Sequence, residues 1–244
     1  MNNDACIVLK KVNKSFGAKQ VLFDIDLQVP CGCIYGLLGP SGCGKTTIVK
    51  IVAGILEATS GEAYVINERM PRLDLMNKIG YMAQADALYS ALTAAENLDF
   101  FGSIYGMSKA QIKKRTAEVM ALVQLSDDLK KLVRDFSGGM KRRLSLAIAI
   151  MHRPPVLVLD EPTVGIDPML RKSIWEELYK LANQGVTIIV TTHVMDEADK
   201  CHLLAMLRDG RMIAQGTAGE LQAGIGAGSI EEAFIYYGGK QNEG

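Results

Sequence analysis

The sequence predicts an α/β fold, in which a mainly parallel sheet core carries an antiparallel β-lobe at its N-terminal side and an inserted helical lobe. Three observations predict it: strand patterns over about the first 35 residues, helical patterns from about residue 86 to 151, and short apolar runs alternating with helical patterns thereafter. The 244 residues suffice for one large domain, which we place at 1–222, before a flexible joint and short tail at 223–244.

The N-terminal segments are patterned as strands followed by a first helix. Residues 6–12 are largely apolar, and residues 21–29 alternate apolar and polar side chains from Phe23 onward. Residues 34–38 form a short apolar run that leads into Gly39, and a helical pattern follows from Gly44 to about Leu56. The predicted order is therefore strand, glycine-rich loop and helix.

The inserted lobe is predicted from helix signals. Ser108 and Gln111 have the spacing of a capping box, which predicts a helix that reaches about Leu125. The basic run 113–115 within this helix is most simply a solvated face.

The second half of the chain returns to the sheet. Residues 156–159 are predicted to form a buried parallel strand, because the run is short, apolar and rich in β-branched residues. A helix is expected at 170–183, closed by Gly185, and another buried strand at 186–192. Asp209-Gly210 predicts a hairpin turn between strands on either side of it.

Composition limits the possible partners. Lys plus Arg and Asp plus Glu are balanced at 27 each, so no basic excess indicates nucleic-acid binding, and none is expected. The start has no secretory signal, and no run of about 18 uncharged apolar residues would span a bilayer. Five cysteines form an odd count, which favours reduced cytosolic thiols over a metal site at Cys31 and Cys33.

The most specific motif is Gly39-x4-Gly44-Lys45-Thr46, the pattern of a phosphate-binding loop, or P-loop. Glycines let backbone amides wrap a phosphate, Lys45 can reach the β- and γ-phosphates, and the Thr46 hydroxyl is placed to bind Mg²⁺. A chance glycine turn is the alternative, but the motif lies between a predicted strand and helix, as phosphate binding requires. The residues predicted to bind ATP here are Gly39, Pro40, Ser41, Gly42, Cys43, Gly44, Lys45, Thr46 and Thr47.

Two acids follow the predicted strand at 156–159. Asp160 is expected to hold Mg²⁺ through water, and Glu161 to act as general base on the attacking water. Taken alone, an acidic pair after a strand has a helix cap as its alternative explanation. Its occurrence together with a P-loop favours the catalytic interpretation.

The third motif is Phe136-Ser-Gly-Gly-Met140. By itself it is adequately explained as a helix start capped by Ser137. Between a P-loop and an acidic strand end, however, it resembles the signature of the ATP-binding cassette (ABC) family, usually written Leu-Ser-Gly-Gly-Gln. The resemblance covers about residues 5 to 220. It implies a P-loop NTPase with a RecA-like core.

The resemblance assigns further roles residue by residue. Gln84 matches the glutamine that joins the two lobes and touches Mg²⁺ and the attacking water. The segment Gly165-Ile-Asp167 resembles the loop that crosses the dimer interface, which assigns Asp167 to that loop. His193 matches the switch histidine at the γ-phosphate, although a lone histidine at a strand end is usually only a satisfied polar residue.

Two positions depart from the usual pattern. Met140 replaces the signature glutamine, so the polar contact that this glutamine would make around the partner's nucleotide is not expected here. Phe16 stands where a tyrosine often stacks on adenine; it would serve, because stacking needs only a π-face, but it is equally explained as core of the β-lobe.

The resemblance also implies an assembly. Two such domains would pair head to tail, with each ATP between the P-loop of one and Ser137, Gly138, Gly139 and Met140 of the other. A separate transmembrane permease would bind beside Gln84, where apolar side chains cluster that are equally explained as lobe core: Leu88, Tyr89, Leu92, Phe100, Phe101 and Tyr105.

The implied function is an ATPase subunit at the cytoplasmic face of the membrane. Residues 86–106 and 230–234 resemble the drug-exporter, ABC-2-type branch. The alternatives are a soluble ABC ATPase in a non-transport assembly and an ATP-gated subunit that does not hydrolyse. A soluble ABC ATPase is disfavoured because such members usually carry a second cassette or a coiled-coil insertion, and this sequence shows neither. A subunit that does not hydrolyse ATP is disfavoured because Glu161 and His193 are both present.

Overall fold

The computed structural model describes residues 5–84 and 87–239. Asp86, where the helical lobe was predicted to begin, and the tail beyond residue 239 lie outside this range.

Strands within the described residues form two sheets. The antiparallel sheet has the order β2-β1-β4-β5 and confirms the predicted β-lobe. Its strands are β1 (Ala5–Phe16), β2 (Lys19–Pro30), β4 (Ser60–Val65) and β5 (Glu68–Arg69).

The second sheet forms the core, with the order β10-β9-β3-β8-β7-β6. Its strands are β3 (Ile34–Leu38), β6 (Ile79–Met82), β7 (Val156–Asp160), β8 (Thr187–Thr192), β9 (Leu203–Arg208) and β10 (Arg211–Gly216). The neighbours from β9 to β6 are parallel, and β10 returns antiparallel to β9 around Asp209-Gly210, as predicted. Every residue of β3, β7 and β8 is buried, which explains why these strands contain continuous apolar runs rather than alternating apolar and polar residues.

The helices predicted from Gly44, from Ser108, after Ser137 and at 170–183 are present, and the first two end earlier than predicted; the helices that follow residue 192 were not predicted. They are α1 (Lys45–Val52), α2 (Ala94–Ile104), α3 (Lys109–Leu122), α4 (Gly138–Ile150), α5 (Pro168–Asn183), α6 (Met195–Ala198), α7 (Ala218–Ala223) and α8 (Ile230–Gly239). The helix predicted to reach about Leu56 stops at Val52, because Gly54 takes a left-handed conformation with φ of 74°. The helix predicted to reach about Leu125 ends at Leu122, where Gln124 is left-handed with φ of 55°.

Capping residues account for the starts of α2 and α3. The predicted capping box of Ser108 and Gln111 opens α3, and Thr93 with Glu96 opens α2 in the same way. Each pair satisfies backbone N–H groups that the first helical turn leaves without partners.

The prediction that residues 113–115 form a solvated face is wrong for Arg115, which is partly buried. Its guanidinium donates from Nε to the Met151 carbonyl at 2.9 Å and from Nη2 to the Ile150 carbonyl at 2.8 Å. These carbonyls end α4, so the cation is placed where a helix C-terminus favours positive charge. Lys113 and Lys114 are exposed, as predicted.

The joint predicted at 223–229 is bridged by hydrogen bonds. The Ala227 amide donates to the Gln222 carbonyl at 3.0 Å, and the Gly228 amide donates to a Glu232 carboxylate oxygen at 2.8 Å. Ile230 and Ala233 of α8 are buried in the same hydrophobic core as Leu221 of α7. The flexibility of this joint and the boundary at residue 222 stay predictions.

Trp175, the single tryptophan of the chain, anchors α5. Its side chain is 2% exposed, with the Lys200 ammonium 5.7 Å from the ring centroid. Asp167 of the predicted dimer loop caps the start of α5. The buried Trp175 therefore holds in place the helix that directly follows this loop.

Candidate nucleotide-binding site

The carboxyl ends of three parallel strands converge at one edge of the core sheet. Leu38 at the end of β3 pairs with Thr192 of β8, and Asp160 at the end of β7 pairs with Thr191 of β8. The P-loop, the acidic pair and His193 each follow one of these strand ends. In open α/β sheets this edge is where ligands bind.

The P-loop requires glycine at two positions for packing reasons. Gly44 is left-handed, with φ of 108°, and an added Cβ would lie 2.6 Å from Leu22 Cδ2. At Gly39, a Cβ would lie 2.4 Å from the Leu207 carbonyl oxygen. A side chain at Gly44 would strain the left-handed backbone and push the Leu22 side chain aside, and one at Gly39 would displace the loop from β9.

Lys45 is buried against the loop that it follows. Its ammonium donates to the Gly39 carbonyl at 2.5 Å and to the Pro40 carbonyl at 2.9 Å. Cys43 is also buried, and this burial raises the pKa of its thiol. The Cys43 side chain is therefore a packing residue.

An open pocket of about 220 Å³ lies beside the loop. It brings together residues that the sequence predicted from separate motifs. Its lining consists of Val21, Ser41, Gly42, Gly44, Lys45, Thr46, Thr47, Gln84 and Glu161.

Glu161 is held at both carboxylate oxygens. His193 Nδ1 lies 3.0 Å from Oε1, and Gln84 Nε2 donates to Oε2 at 3.1 Å. The backbone amide of Glu161 donates to Thr191 Oγ1 at 3.0 Å, and its φ of 53° is in the left-handed region. Glu161 and Gln84, predicted to act on the attacking water, and His193, predicted to contact the γ-phosphate, thus form one hydrogen-bonded group.

Asp160 has one free acceptor oxygen. Its Oδ1 accepts from the Thr191 hydroxyl at 2.5 Å, whereas Oδ2 is buried and has no hydrogen-bond partner within the described part of the chain. A buried carboxylate oxygen without a partner fits a hard cation such as Mg²⁺, which prefers oxygen ligands. Burial, with the Asp160 charge adding to it, raises the pKa of nearby Tyr81 to about 12, so this phenol stays neutral.

Arg142 of α4 was given no role from the sequence, yet its side chain reaches this site. It is 7% exposed and donates to the backbone carbonyls of Gln84 and Glu161. The available signal was helical spacing: Arg142 lies four residues before the buried Leu146, on the same face of α4.

The signature residues lie away from the pocket of their own chain. Ser137 caps α4, its hydroxyl accepting from the Met140 amide at 3.3 Å, and Ser137 and Gly138 are exposed. At Gly139, an added Cβ would lie 3.3 Å from the Gly165 carbonyl of the predicted dimer loop. Among the described residues, none from 137 to 140 lines the pocket.

Two other predicted residues are placed by the structure. Asp167 caps α5 through a 3.0 Å contact from the Leu170 amide to its Oδ1, and the following Met169 is 80% exposed. Phe16 is 51% exposed at the end of β1, which contradicts the alternative that it belongs to the core of the β-lobe.

The apolar set that was predicted to lie beside Gln84 is divided between surface and interior. Tyr89 is 48% exposed and contacts the exposed Phe100, with ring centroids 4.7 Å apart. Tyr105 instead stacks on His152 at 3.7 Å and is partly buried. Over the described ranges, the structure contains no helix that combines the length and apolarity needed to cross a membrane.

Comparison with known proteins gives a consistent result. The family model described as ABC transporter matches residues 22–164. The chain is 39% identical to the linearmycin resistance ATP-binding protein LnrL of Bacillus subtilis (strain 168), over 93% of this chain and 74% of that protein. It is 40% identical to the Nod factor export ATP-binding protein I of Paraburkholderia xenovorans (strain LB400), over 93% of this chain and 76% of that protein.

Solved structures show the same similarity. An ATP-binding subunit of an ABC transporter superposes with a TM-score of 0.88 at 26% identity, covering 95% of this chain and 99% of that one. The dimeric cassette MJ0796, in a post-hydrolysis state bound to ADP and Pi, has a TM-score of 0.81 at 28% identity, covering 86% of this chain and 98% of that one.

Proposed function

This chain belongs to the ABC transporter family and is an ATPase of that family; from this premise we propose that, paired head to tail with a second cassette, it drives a separate membrane subunit in export. The observation that carries the proposal is the group of Glu161, Gln84 and His193 at the edge of a P-loop pocket. This arrangement suits the hydrolysis of a phosphate bound in the loop.

Each residue has a part in the proposed reaction, ATP plus water to ADP plus phosphate. Glu161 takes the proton from the attacking water, while Gln84 and His193 fix the orientation of its carboxylate. Lys45 exchanges the carbonyls of its own loop for phosphate oxygens. Mg²⁺ would be held by Thr46, Asp160 and Gln84, and when bound it neutralises charge on the phosphates.

The proposed pairing rests on the place of the signature. Ser137 is exposed at the N-terminus of α4, where backbone amides and the helix dipole favour an anion. Gly138 leaves open space where a Cβ would lie. A γ-phosphate on a second cassette could approach this end, with Met140 and Asp167 nearby, so that ATP joins the two subunits and its hydrolysis releases them.

Ser137→Arg should lower ATP hydrolysis by about a hundredfold, because the bulky cation occupies the anion position at the helix end. ATP affinity of the monomer should stay within about twofold, since Ser137 does not line the P-loop pocket. Steady-state ATPase rates and equilibrium titration with a fluorescent ATP analogue measure the two effects. Ser108→Arg, which changes the exposed cap of α3, is the matched control. Loss of monomer binding would contradict the proposed place of Ser137.

Export is proposed from the relatives. Their names describe resistance to linearmycin and export of Nod factor, and the aligned segment spans most of this chain. The exposed pair Tyr89 and Phe100 supports a contact with the membrane subunit beside Gln84. That contact would hold the chain on the cytoplasmic face of the membrane.

At the nucleotide site, the exposed Phe16 would stack on adenine.

The test is purification of the chain from detergent-solubilised membranes together with the membrane protein encoded next to it. We expect the two to co-purify, and ATPase activity to rise in the complex. A chain recovered only with ribosomes, DNA or other non-membrane assemblies would contradict a transport role, while ATPase activity in that assembly would leave the enzyme assignment intact.

A further inference from the structure

Arg142 of α4 contacts two separate stretches of backbone at the proposed catalytic site. From α4, its Nη1 donates to the carbonyls of Ala83 at 2.6 Å and Gln84 at 2.9 Å. Its Nη2 donates to the carbonyls of Asp160 and, at 2.6 Å, Glu161, and its Nε donates to Glu161 at 3.2 Å. The guanidinium therefore connects the end of β7 to Ala83 and Gln84, the residues that directly follow β6.

The chemistry of this cluster suits arginine. The guanidinium is planar and presents five donors in a fixed fork, so one side chain can serve several carbonyls on different segments. A lysine ammonium is a compact charge on a flexible stem, and a glutamine amide has only two donors. Because Arg142 is buried, its charge is also offset by these carbonyl dipoles.

The carbonyls that Arg142 holds belong to the residues that carry the chemistry. The backbone of Glu161 is in the unfavourable left-handed region. Its amide donates a hydrogen bond to Thr191 Oγ1, and its carbonyl accepts one from Arg142. Gln84 is held by Arg142 at its own carbonyl while its side chain donates to Glu161. The cation thus fixes the backbone on both sides of the Gln84–Glu161 contact.

We propose that Arg142 is a positioning residue for hydrolysis, which sets the place of Glu161 and Gln84 without touching ATP. The inference rests on the proposed function, because it assumes that Glu161 is the general base. A group that only places the base is expected to affect turnover rather than nucleotide binding.

The test compares Arg142→Gln, Arg142→Lys and Arg143→Gln in the full chain. Arg143 is the matched control: it is the next residue of α4 and donates to the carbonyls of Val123 and Gln124, each at 3.2 Å, outside the pocket. For each variant, kcat for ATP, equilibrium affinity for a fluorescent ATP analogue and Tm are measured. Where Arg142→Gln does not fold, Arg142→Lys, which keeps the charge, decides the result.

We expect Arg142→Gln to lower kcat at least tenfold with ATP affinity within twofold, Arg142→Lys to recover part of the loss, and Arg143→Gln to stay within twofold of wild type. The inference is overturned when folded Arg142 variants keep wild-type kcat, when ATP affinity falls as much as kcat, or when Arg143→Gln loses as much. A wild-type chain that binds ATP but never hydrolyses it, with or without its membrane subunit, would overturn the proposed function itself.

Discussion

Glu161→Gln is expected to bind ATP with wild-type affinity and to hydrolyse it at least about a hundredfold more slowly. The amide is nearly isosteric with the carboxylate but cannot take a proton from water. Gln84 and His193 contact the carboxylate rather than the P-loop, so the phosphate-binding part of the pocket should be unchanged. Single-turnover hydrolysis and nucleotide titration measure the two effects.

The same variant tests the pairing of two cassettes. With ATP and Mg²⁺ it should accumulate as a stable dimer in size-exclusion chromatography, because the nucleotide that joins the subunits is no longer consumed. A variant that stays monomeric with saturating ATP would contradict the sandwich. Glu176→Gln, at an exposed carboxylate of α5, is the control and should keep wild-type turnover.

Lys45→Ala is expected to lower ATP affinity at least about tenfold and to abolish measurable hydrolysis, because the charge that meets the β- and γ-phosphates is removed. Isothermal titration calorimetry with ATP measures the affinity. Lys45 also donates to the Gly39 and Pro40 carbonyls, so Tm is needed to separate lost binding from a loosened loop.

Lys50→Ala provides the comparison for this variant. Lys50 belongs to the same helix as Lys45 but does not line the pocket. Near-normal turnover of Lys45→Ala would remove the P-loop assignment, and an equal loss in Lys50→Ala would indicate a general effect of charge on α1.

Residues that act through a local motif could be predicted from the sequence. The P-loop depends on glycines next to one another in the chain, and the place of Asp160 depends on a strand that ends just before it. The strands at 34–38, 156–159 and 186–192 and the helices that begin near Lys45, Lys109 and Pro168 followed from periodicity and caps for the same reason, whereas the order of the strands within each sheet was not predicted.

Contacts between distant segments could not be predicted in this way. Gln84 and Glu161 are 77 residues apart, and Arg142 lies 58 residues from Gln84. Arg115 was misinterpreted because only the fold places the end of α4 beside it. Phe16 could not be assigned to core or surface until its exposure was known.

Trp175 gives the chain a single tryptophan fluorophore. As the single indole it dominates the ultraviolet fluorescence, and its burial in α5 predicts blue-shifted emission that moves to the red when this helix unfolds. Because α5 begins directly after the loop at 165–167, the emission also offers a label-free signal for rearrangement there. We expect nucleotide addition to change the Trp175 emission when it rearranges this loop, a change that can be recorded without attaching a dye.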